Sequence, residues 1–356
     1  MIKSVDIKDF KGLNEINLKD LSMINLFGGK NNAGKTSILE ALFMFYDRLN
    51  PNMLLRQYNW RGISELSLTP ETLFAPIFNN FDLNKEIFIE VRNEKSLVDS
   101  MKVSFKEDKN ISIQSSNNYG HIRTDESPVI PNYLSLEYAG STHKRQEVKL
   151  ILDNNGIQLN AENASTHGIR ASFLASKSHS NPHENAVIYG ELDIKGQTGI
   201  IIKCLQIIEP RLIDISTVAL PNGTTMLYAN IGLGKKVPIS YMGDGISRLL
   251  SIILRIVSMP NGVLLIDEIE NGIHYSTLPK IWEIISTAAL EYNCQIFATT
   301  HSYECLNSCL DGIVEDCKGK FRYIRVERAK DGDKIIPKNF DYEVLESAID
   351  RGWEVR

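Results

Sequence analysis

The stretch Gly29-Lys30-Asn31-Asn32-Ala33-Gly34-Lys35-Thr36 decides the fold, and it matches the pattern G-x-x-x-x-G-K-[ST]. Before it, Met23 to Phe27 is a short apolar segment that predicts a strand. After it, Ser37 to Phe45 predicts a helix with apolar residues on most of its faces, which is typical of a buried helix. Because the pattern requires this order of strand, loop and helix, the local context supports a phosphate-binding loop.

Each part of this loop has a chemical use at a bound triphosphate. Gly29 and Gly34 allow the backbone to curl until successive N–H groups point into one concavity, and the following helix adds the positive end of its dipole. Lys35 can place an ammonium between the β- and γ-phosphates, and Thr36 can place its hydroxyl on Mg²⁺. We therefore expect one run of residues to bind the nucleotide: Gly29, Asn31, Asn32, Ala33, Gly34, Lys35, Thr36 and Ser37.

A second informative stretch runs from Gly262 to Ile266 and ends in Asp267 and Glu268. An apolar run without alternation predicts a strand buried on both faces, as in a parallel sheet, and ligands bind at the carboxyl ends of such strands. We expect Asp267 to hold Mg²⁺ beside Thr36. We expect Glu268 to accept a proton from the attacking water, or to orient that water.

A third strand is predicted from Cys294 to Ala298, and it leads into Thr299, Thr300 and His301. In a parallel sheet this strand would adjoin the Asp267 strand. His301 would then lie where it can contact the γ-phosphate or the attacking water. The residues expected to carry the catalysis are Glu268, His301 and Lys35.

Length and charge bound the class of protein. With 356 residues, the chain exceeds the ~250–300 at which single cores usually stop growing, so we expect one large domain with an insertion, or two lobes. The net charge of −5, from 39 basic and 44 acidic residues, argues against a uniformly basic nucleic-acid binder but allows a local basic groove.

The sequence also bears on the compartment. No apolar run approaches the ~18 residues that span a bilayer, and Met1 to Asp6 lacks the apolar core of a signal peptide. We therefore expect a cytoplasmic protein without a membrane partner. Five cysteines are an odd number without the spacing of a disulfide framework, so we expect them to be small buried residues: Cys204, Cys294, Cys305, Cys309 and Cys317.

The remaining patterns suggest three parts, with boundaries at 1–117, 118–210 and 211–356. In the first part, runs at Glu86 to Arg92, Met101 to Lys106 and Ile111 to Gln114 predict an antiparallel side sheet. The middle part is expected to be an inserted, mainly helical lobe. Phe10 and Lys11 are predicted at the tip of an N-terminal hairpin, either beside the base or ribose or as an ordinary exposed tip.

Together the motifs resemble the ABC-type ATPase head of the SMC, RecF and OLD (overcoming lysogenization defect) proteins. The resemblance covers about 1–50 and 235–310, and the later blocks are similar to the OLD-like branch. It is carried by Asp9-Phe10-Lys11-Gly12, the loop at 29–36, Met-Gly-Asp-Gly-Ile-Ser-Arg at 242–248, Leu-Ile-Asp-Glu-Ile-Glu-Asn-Gly-Ile-His at 265–274, and Ala-Thr-Thr-His-Ser at 298–302. The fold that this implies is an α/β, ABC-type P-loop NTPase head with a mixed central sheet.

The resemblance implies a head-to-tail dimer, with each nucleotide between one subunit's phosphate loop and the other's signature segment. Gly243, Asp244 and Gly245 correspond to that signature; the family often has Ser where Met242 stands, and Ser247 is a second candidate for the γ-phosphate contact. Asn271-Gly272 corresponds to the loop that meets the partner subunit. The residue of the glutamine loop stays open among three candidates: Gln57, Gln114 and Gln146.

These implications define the expected function. The protein would bind and hydrolyse ATP, even if slowly, with ATP and Mg²⁺ as cofactors. Long OLD-like proteins carry a C-terminal Toprim nuclease half for which this chain has no room, so we expect a separately encoded effector, such as a Toprim-type nuclease or a toxin, in prokaryotic defence against phage or plasmids. One alternative is a RecF-like repair ATPase that binds duplex DNA near Lys144 and Arg145. Another is an ATP-gated oligomeric scaffold with little hydrolysis.

Overall fold

The computed structural model describes residues 1–63, 69–107, 132–141, 145–153, 156–162, 169–176, 182–329 and 334–355. By their contacts the residues fall into two compact units. The first unit comprises Met1–Lys3, Leu18–Leu39 and Ile169–Arg356, and the second comprises Ser4–Asn17 and Glu40–Gly168.

The described residues contain strands and helices in nearly equal share. The strands are β1 (Ile2–Phe10), β2 (Leu13–Leu18), β3 (Ile24–Gly28), β4 (Glu86–Asn93), β5 (Val98–Glu107), β6 (Asn132–Ala139), β7 (Gln146–Asp153), β8 (Gly156–Glu162), β9 (Ala171–Leu174), β10 (Asp214–Ala219), β11 (Thr225–Asn230), β12 (Val237–Pro238), β13 (Val263–Ile266), β14 (Gln295–Thr299), β15 (Phe321–Arg328) and β16 (Ile335–Phe340). The α-helices are α1 (Lys35–Tyr46), α2 (Met53–Trp60), α3 (Pro70–Leu73), α4 (Pro182–Ile194), α5 (Gly199–Gln206), α6 (Asp244–Ser258), α7 (Leu278–Tyr292), α8 (Tyr303–Gly312), α9 (Glu315–Lys318) and α10 (Tyr342–Asp350).

The first unit is built on a six-stranded sheet with the order β16-β15-β3-β14-β13-β9. Its strands from β15 to β9 are parallel, and β16 pairs antiparallel with β15. The predicted mixed central sheet is therefore confirmed, as is the predicted pairing of β13 with β14. Every residue of β3, β13 and β14 is buried, as the unalternated apolar runs predicted.

Helices complete the core of this unit. Helix α6 contributes an apolar face that includes Leu249 and Ile253, and α7 contributes the buried ring of Trp282. A smaller antiparallel sheet, β10-β11-β12, belongs to the same unit and contacts α4. Because β3, β14 and β13 are parallel neighbours, their carboxyl ends meet at one edge of the sheet, which is where the functional groups of such sheets lie.

The second unit holds a seven-stranded sheet with the order β2-β1-β4-β5-β6-β7-β8. From β4 to β8 each neighbouring pair is antiparallel, so the predicted antiparallel side sheet is present and has more strands than expected. The run predicted as a strand at Ile111 to Gln114 lies outside the described residues.

The range 118–210 differs from the mainly helical content expected for it. Strands β6 to β9 precede helices α4 and α5, and residues up to Gly168 group with the second unit while those from Ile169 group with the first. In β7, the buried Val148 and Leu150 alternate with the partly exposed Glu147 and Lys149, which is the period-two pattern of a half-buried strand. No helix in the described part of the chain is both long and apolar enough to cross a membrane.

Candidate functional site

The loop between β3 and α1 depends on glycine at two positions. Gly29 and Gly34 have φ angles of +124° and +97°, a region that L side chains rarely adopt. A Cβ atom at Gly29 would also overlap the backbone carbonyl oxygen of Val326 on β15. The loop can therefore take its curled form and pack against β15 only with glycine at 29.

Lys35 lies inside this loop, at the start of α1. Its Nζ donates to the carbonyl oxygens of Gly29 at 2.6 Å and Lys30 at 2.9 Å, and its side chain is buried. Burial lowers the pKa of Lys35, and the nearby carboxylates of Asp267 and then Glu270 act in the opposite direction. The loop thus holds the ammonium group of Lys35 within its concavity, close to the ends of the neighbouring strands.

Asp267 joins the loop to the ends of β13 and β14. Its Oδ1 accepts hydrogen bonds from Thr36 Oγ1 at 2.9 Å and from Thr299 Oγ1 at 2.8 Å. Thr299 Oγ1 in turn accepts from the backbone N–H of Glu268 at 2.8 Å. A hydroxyl and a carboxylate oxygen this close are the hard oxygen ligands that Mg²⁺ takes, so the residues present fit the predicted metal.

Glu268 and His301 are neighbours, as the predicted pairing of the strands that precede them implied. Glu268 Oε1 lies 3.8 Å from Nδ1 of His301, and both side chains are partly exposed. Burial, and then the charge of Asp267, raise the pKa of Glu268. Glu268 also has a φ of +48°, which is uncommon for a residue with a side chain and clusters at functional sites.

Sequence reasoning missed the part that Arg248 plays. On α6 its Nη1 donates to the carbonyl of Ala175 at 3.0 Å and its Nη2 donates to the carbonyl of Asp267 at 2.8 Å. The side chain is buried, and burial lowers the pKa of Arg248 to about 10. The available signal was a charged residue directly before the largely apolar run from Leu249 to Val257 on the same helix.

The predicted signature residues lie beside the loop that follows Glu268. Gly243, with φ +106°, precedes the first turn of α6, and Asp244 is exposed. A Cβ atom at Gly272 would lie 3.1 Å from Cβ of Asp244, and one at Gly245 would lie 3.6 Å from the carbonyl oxygen of Gly272. The structure therefore brings 243–245 and Asn271-Gly272 together on one surface; their contact with a nucleotide stays a prediction.

The predicted hairpin tip is not exposed, and its contact with a base or ribose stays a prediction. Phe10 is fully buried, and Lys11 Nζ forms an ion pair with Glu40 at 2.8 Å in the second unit. Glu40 also accepts two hydrogen bonds from Arg61, at 2.9 and 2.7 Å. Burial lowers the pKa of Lys11 to about 8. An exposed tip is thus the wrong description, because the turn packs its side chains inward.

Two of the three glutamine candidates are buried in the second unit, and the third lies outside the described residues. Gln57 accepts a hydrogen bond from Lys11 Nζ at 2.9 Å, Gln146 is buried on β7, and Gln114 lies outside the described residues.

The basic patch expected to contact duplex DNA is described only in part. Arg145 pairs with Glu137, while Lys144 lies outside the described residues.

All five cysteines are free and buried, as predicted, and burial raises the pKa of Cys294 to about 12.

The parallel sheet, the glycine loop with its lysine, and the carboxylates at the adjoining strand ends define a P-loop ATPase. A family model described as "AAA domain, putative AbiEii toxin, Type IV TA system" matches residues 24–307. The chain belongs to this family of ATPase domains.

The chain is also similar to individual proteins. The chain is 24% identical over 381 residues to an ATP/GTP phosphatase of Helicobacter pylori, a match that covers 97% of both chains. It is 31% identical over 144 residues to an uncharacterized protein of Methanocaldococcus jannaschii, covering 38% of this chain and 64% of that protein. Among solved structures it is similar to the Smc head domain of Pyrococcus furiosus bound to the C-terminal domain of ScpA, with 12% identity, a TM-score of 0.49 and 98% coverage of both chains.

Proposed function

We propose that this ATPase is magnesium-dependent, works as a head-to-tail dimer in the cytoplasm, and controls a separately encoded effector. The observation that carries the hydrolytic part is the cluster of Thr36, Asp267, Glu268 and His301 beyond the ends of β3, β13 and β14. Bonds of 2.8–2.9 Å connect Thr36, Asp267 and the backbone of Glu268 through Thr299, and Glu268 lies 3.8 Å from His301. These are the groups that hydrolysis of a phosphoanhydride requires.

In this proposal the residues have separate tasks. Glu268 accepts a proton from water as the water oxygen bonds to the γ-phosphorus, and the bond to the bridging oxygen breaks to release ADP and phosphate. Lys35 and the N–H groups of the loop bind the phosphate oxygens, and His301 contacts the γ-phosphate. Thr36 and Asp267 would hold Mg²⁺, which supplies positive charge to the phosphates.

The dimer is supported by the exposure of the predicted signature. Helix α6 has 15 residues, and its N-terminal residues Gly243 and Asp244 are exposed. A helix N-terminus offers N–H groups and a positive dipole end to an anion, and glycine allows close approach. The preceding Tyr241 is 85% exposed, so the segment is accessible to a second copy of the chain.

The effector is proposed from the family. Its description names a toxin and a type IV toxin–antitoxin system, which supports a role in prokaryotic defence against phage or plasmids. The motif order that resembles OLD-like ATPases suggests a Toprim-type nuclease as the partner. Since one relative is named an ATP/GTP phosphatase, GTP belongs beside ATP in every assay.

The variant Glu268→Gln tests the chemistry. It keeps the shape of the side chain but cannot take the proton, so ATP affinity should stay within about 3-fold while turnover falls by at least about 100-fold. Glu343→Gln on the exposed surface of α10 is the matched control and should behave as wild type. Wild-type turnover in Glu268→Gln would show that the base is assigned wrongly. Calorimetry that detects no binding of ATP or GTP with Mg²⁺ would remove the whole proposal.

A further inference from the structure

Glu270 is a largely buried carboxylate beside the site, two residues after Glu268, with 14% of its side chain exposed. Its Oε1 accepts hydrogen bonds from Thr300 Oγ1 at 2.8 Å and from the backbone N–H of His301 at 3.2 Å. The same oxygen lies 4.0 Å from Nδ1 of His301, and Glu268 Oε1 lies 3.8 Å from that nitrogen. Two carboxylates therefore face the Nδ1 edge of a single imidazole ring.

The hydrogen bonds alone do not account for a carboxylate at this position. A glutamine oxygen could also accept from Thr300 and from the N–H of His301, although less strongly than a carboxylate does. Helix α8, which begins next to the site, already has its N-terminal N–H capped, because Ser302 Oγ accepts from the N–H of Cys305 at 3.1 Å. Among the described residues, Oε2 of Glu270 is buried without a hydrogen-bond partner. A buried carboxylate oxygen in that state costs free energy, so the charge calls for a reason other than fold stability.

The geometry points to Glu270 as the positioning residue of His301. A carboxylate facing one ring nitrogen favours the tautomer that carries its proton there, and it fixes the orientation of the ring. Glu270 thus holds the proton of His301 at Nδ1 and fixes the backbone at 301, and Nε2 on the opposite edge of the ring is left to meet the substrate. This role rests on the proposed function, in which His301 contacts the γ-phosphate.

The tautomer can be measured without nucleotide or turnover. The chain has 7 histidines, and in protein labelled with ¹⁵N-histidine the signals of His301 are those lost in His301→Asn. Long-range ¹H–¹⁵N correlation should show the proton of His301 mainly on Nδ1 in wild type. In Glu270→Gln at least half of that population should move to Nε2. An unchanged spectrum would overturn the positioning role, whatever the enzyme hydrolyses.

Kinetics supply a second measurement. In Glu270→Gln, kcat should fall about 10-fold with KM within about 2-fold, as for other residues that orient a functional ligand. Because Glu270 acts through His301, adding Glu270→Gln to His301→Asn should lower kcat by less than about 2-fold further. Additive losses in the double variant would show that Glu270 acts independently of His301, and the inference would be wrong.

The two measurements separate this inference from the proposed function. If the tautomer shifts in Glu270→Gln but His301→Asn hydrolyses ATP at the wild-type rate, the catalytic role of His301 fails while the positioning by Glu270 stands. If Glu270→Gln does not fold, Thr300→Val takes its place, since it removes the 2.8 Å bond that holds Oε1 and is close to isosteric. It should shift the tautomer in the same direction, and no shift would overturn the inference.

Discussion

The hydroxyl of Thr36 lies 2.9 Å from Oδ1 of Asp267, although 230 residues separate them in the chain. This bond joins the phosphate loop to the end of β13 across the end of β14, whose Thr299 donates to the same oxygen at 2.8 Å. The predicted metal ligands are thus oriented by a residue of the intervening strand, and such supporting residues tune metal sites nearly as strongly as the ligands themselves.

Thr299→Val should lower the affinity of the site for Mg²⁺. The change keeps the shape of the side chain but removes both its bond to Asp267 and its acceptor for the N–H of Glu268. The Mg²⁺ concentration for half-maximal ATP hydrolysis should rise about 10-fold. Thr299→Ser, which keeps the hydroxyl, is the control and should stay near wild type. A lower kcat with unchanged Mg²⁺ dependence would mean that Thr299 does not act through Asp267.

Gly245→Leu should abolish cooperation between subunits while leaving the monomer folded. Gly245 lies within α6 with an ordinary helical φ, and a Cβ there meets only the carbonyl oxygen of Gly272 at 3.6 Å. Binding of ATP should persist, and turnover should fall by about 100-fold because the partner's phosphates lose the N–H groups of α6. Gly190→Leu on α4, where a Cβ meets nothing within 4 Å, is the matched control.

The measurement for Gly245→Leu is specific activity over a range of protein concentrations, combined with mass by light scattering. Wild type should become more active per subunit as it dimerises with ATP. Activity of Gly245→Leu equal to that of wild type at every concentration would contradict a signature that acts across a dimer.

Arg248→Met should destabilise the fold strongly. It leaves the carbonyls of Ala175 and Asp267 without their donor inside the protein. Since hydrogen bonds to a charged group contribute roughly 1.5–3 kcal/mol each, the free energy of unfolding in urea should fall by about 3 kcal/mol. Arg211→Met, which affects an exposed pair with Glu209, should leave the urea midpoint unchanged. A loss below about 0.5 kcal/mol in Arg248→Met would show that water replaces the guanidinium at no cost.

Alkaline pH should destabilise the protein through its thiols. Burial raises the pKa of Cys294 to about 12 and that of Cys204 and Cys317 to about 11, whereas a thiol of the unfolded chain titrates near about 8.5. The unfolded chain therefore loses these protons first. Stability that is fully present below about pH 8.5 is lost as pH rises toward the folded values.

Cys294→Ala isolates one of these contributions. The free energy of unfolding of wild type minus that of the variant should shrink by about 1.4 kcal/mol per pH unit between about pH 9 and 11, measured in urea with a reducing agent. Removing the thiol also costs packing, which lowers the free energy of unfolding of the variant by an amount that does not depend on pH. The difference between wild type and variant at pH 7 measures that amount. A difference that stays constant over this range would contradict the buried, protonated thiol.

Sequence alone predicted the parts of the site that are local in the chain. The glycines at 29 and 34, the apolar run before Asp267 and the run before His301 each carry their own signal, and their pairing as parallel neighbours followed from burial on both faces. Arg248, Lys11 and Glu40 were missed because their roles depend on partners that are distant in sequence. The strands from β6 to β8 pair with one another, and the alternation of Glu147, Val148, Lys149 and Leu150 in β7 was a local signal for a strand that the expectation of a mainly helical lobe passed over.

The strand order β3-β14-β13 has a consequence for how the protein is made. The centre of these three strands, β14, is the last of them to leave the ribosome. Strand β13 can pair with the earlier β9, but β3 has neither of its neighbours, β14 and β15, until about residue 300 has been synthesised. Contacts that close loops of this length form slowly, and unpaired strand edges invite aggregation meanwhile. The edges of β3, the strand that leads into the phosphate loop, therefore stay unpaired during most of the chain's translation.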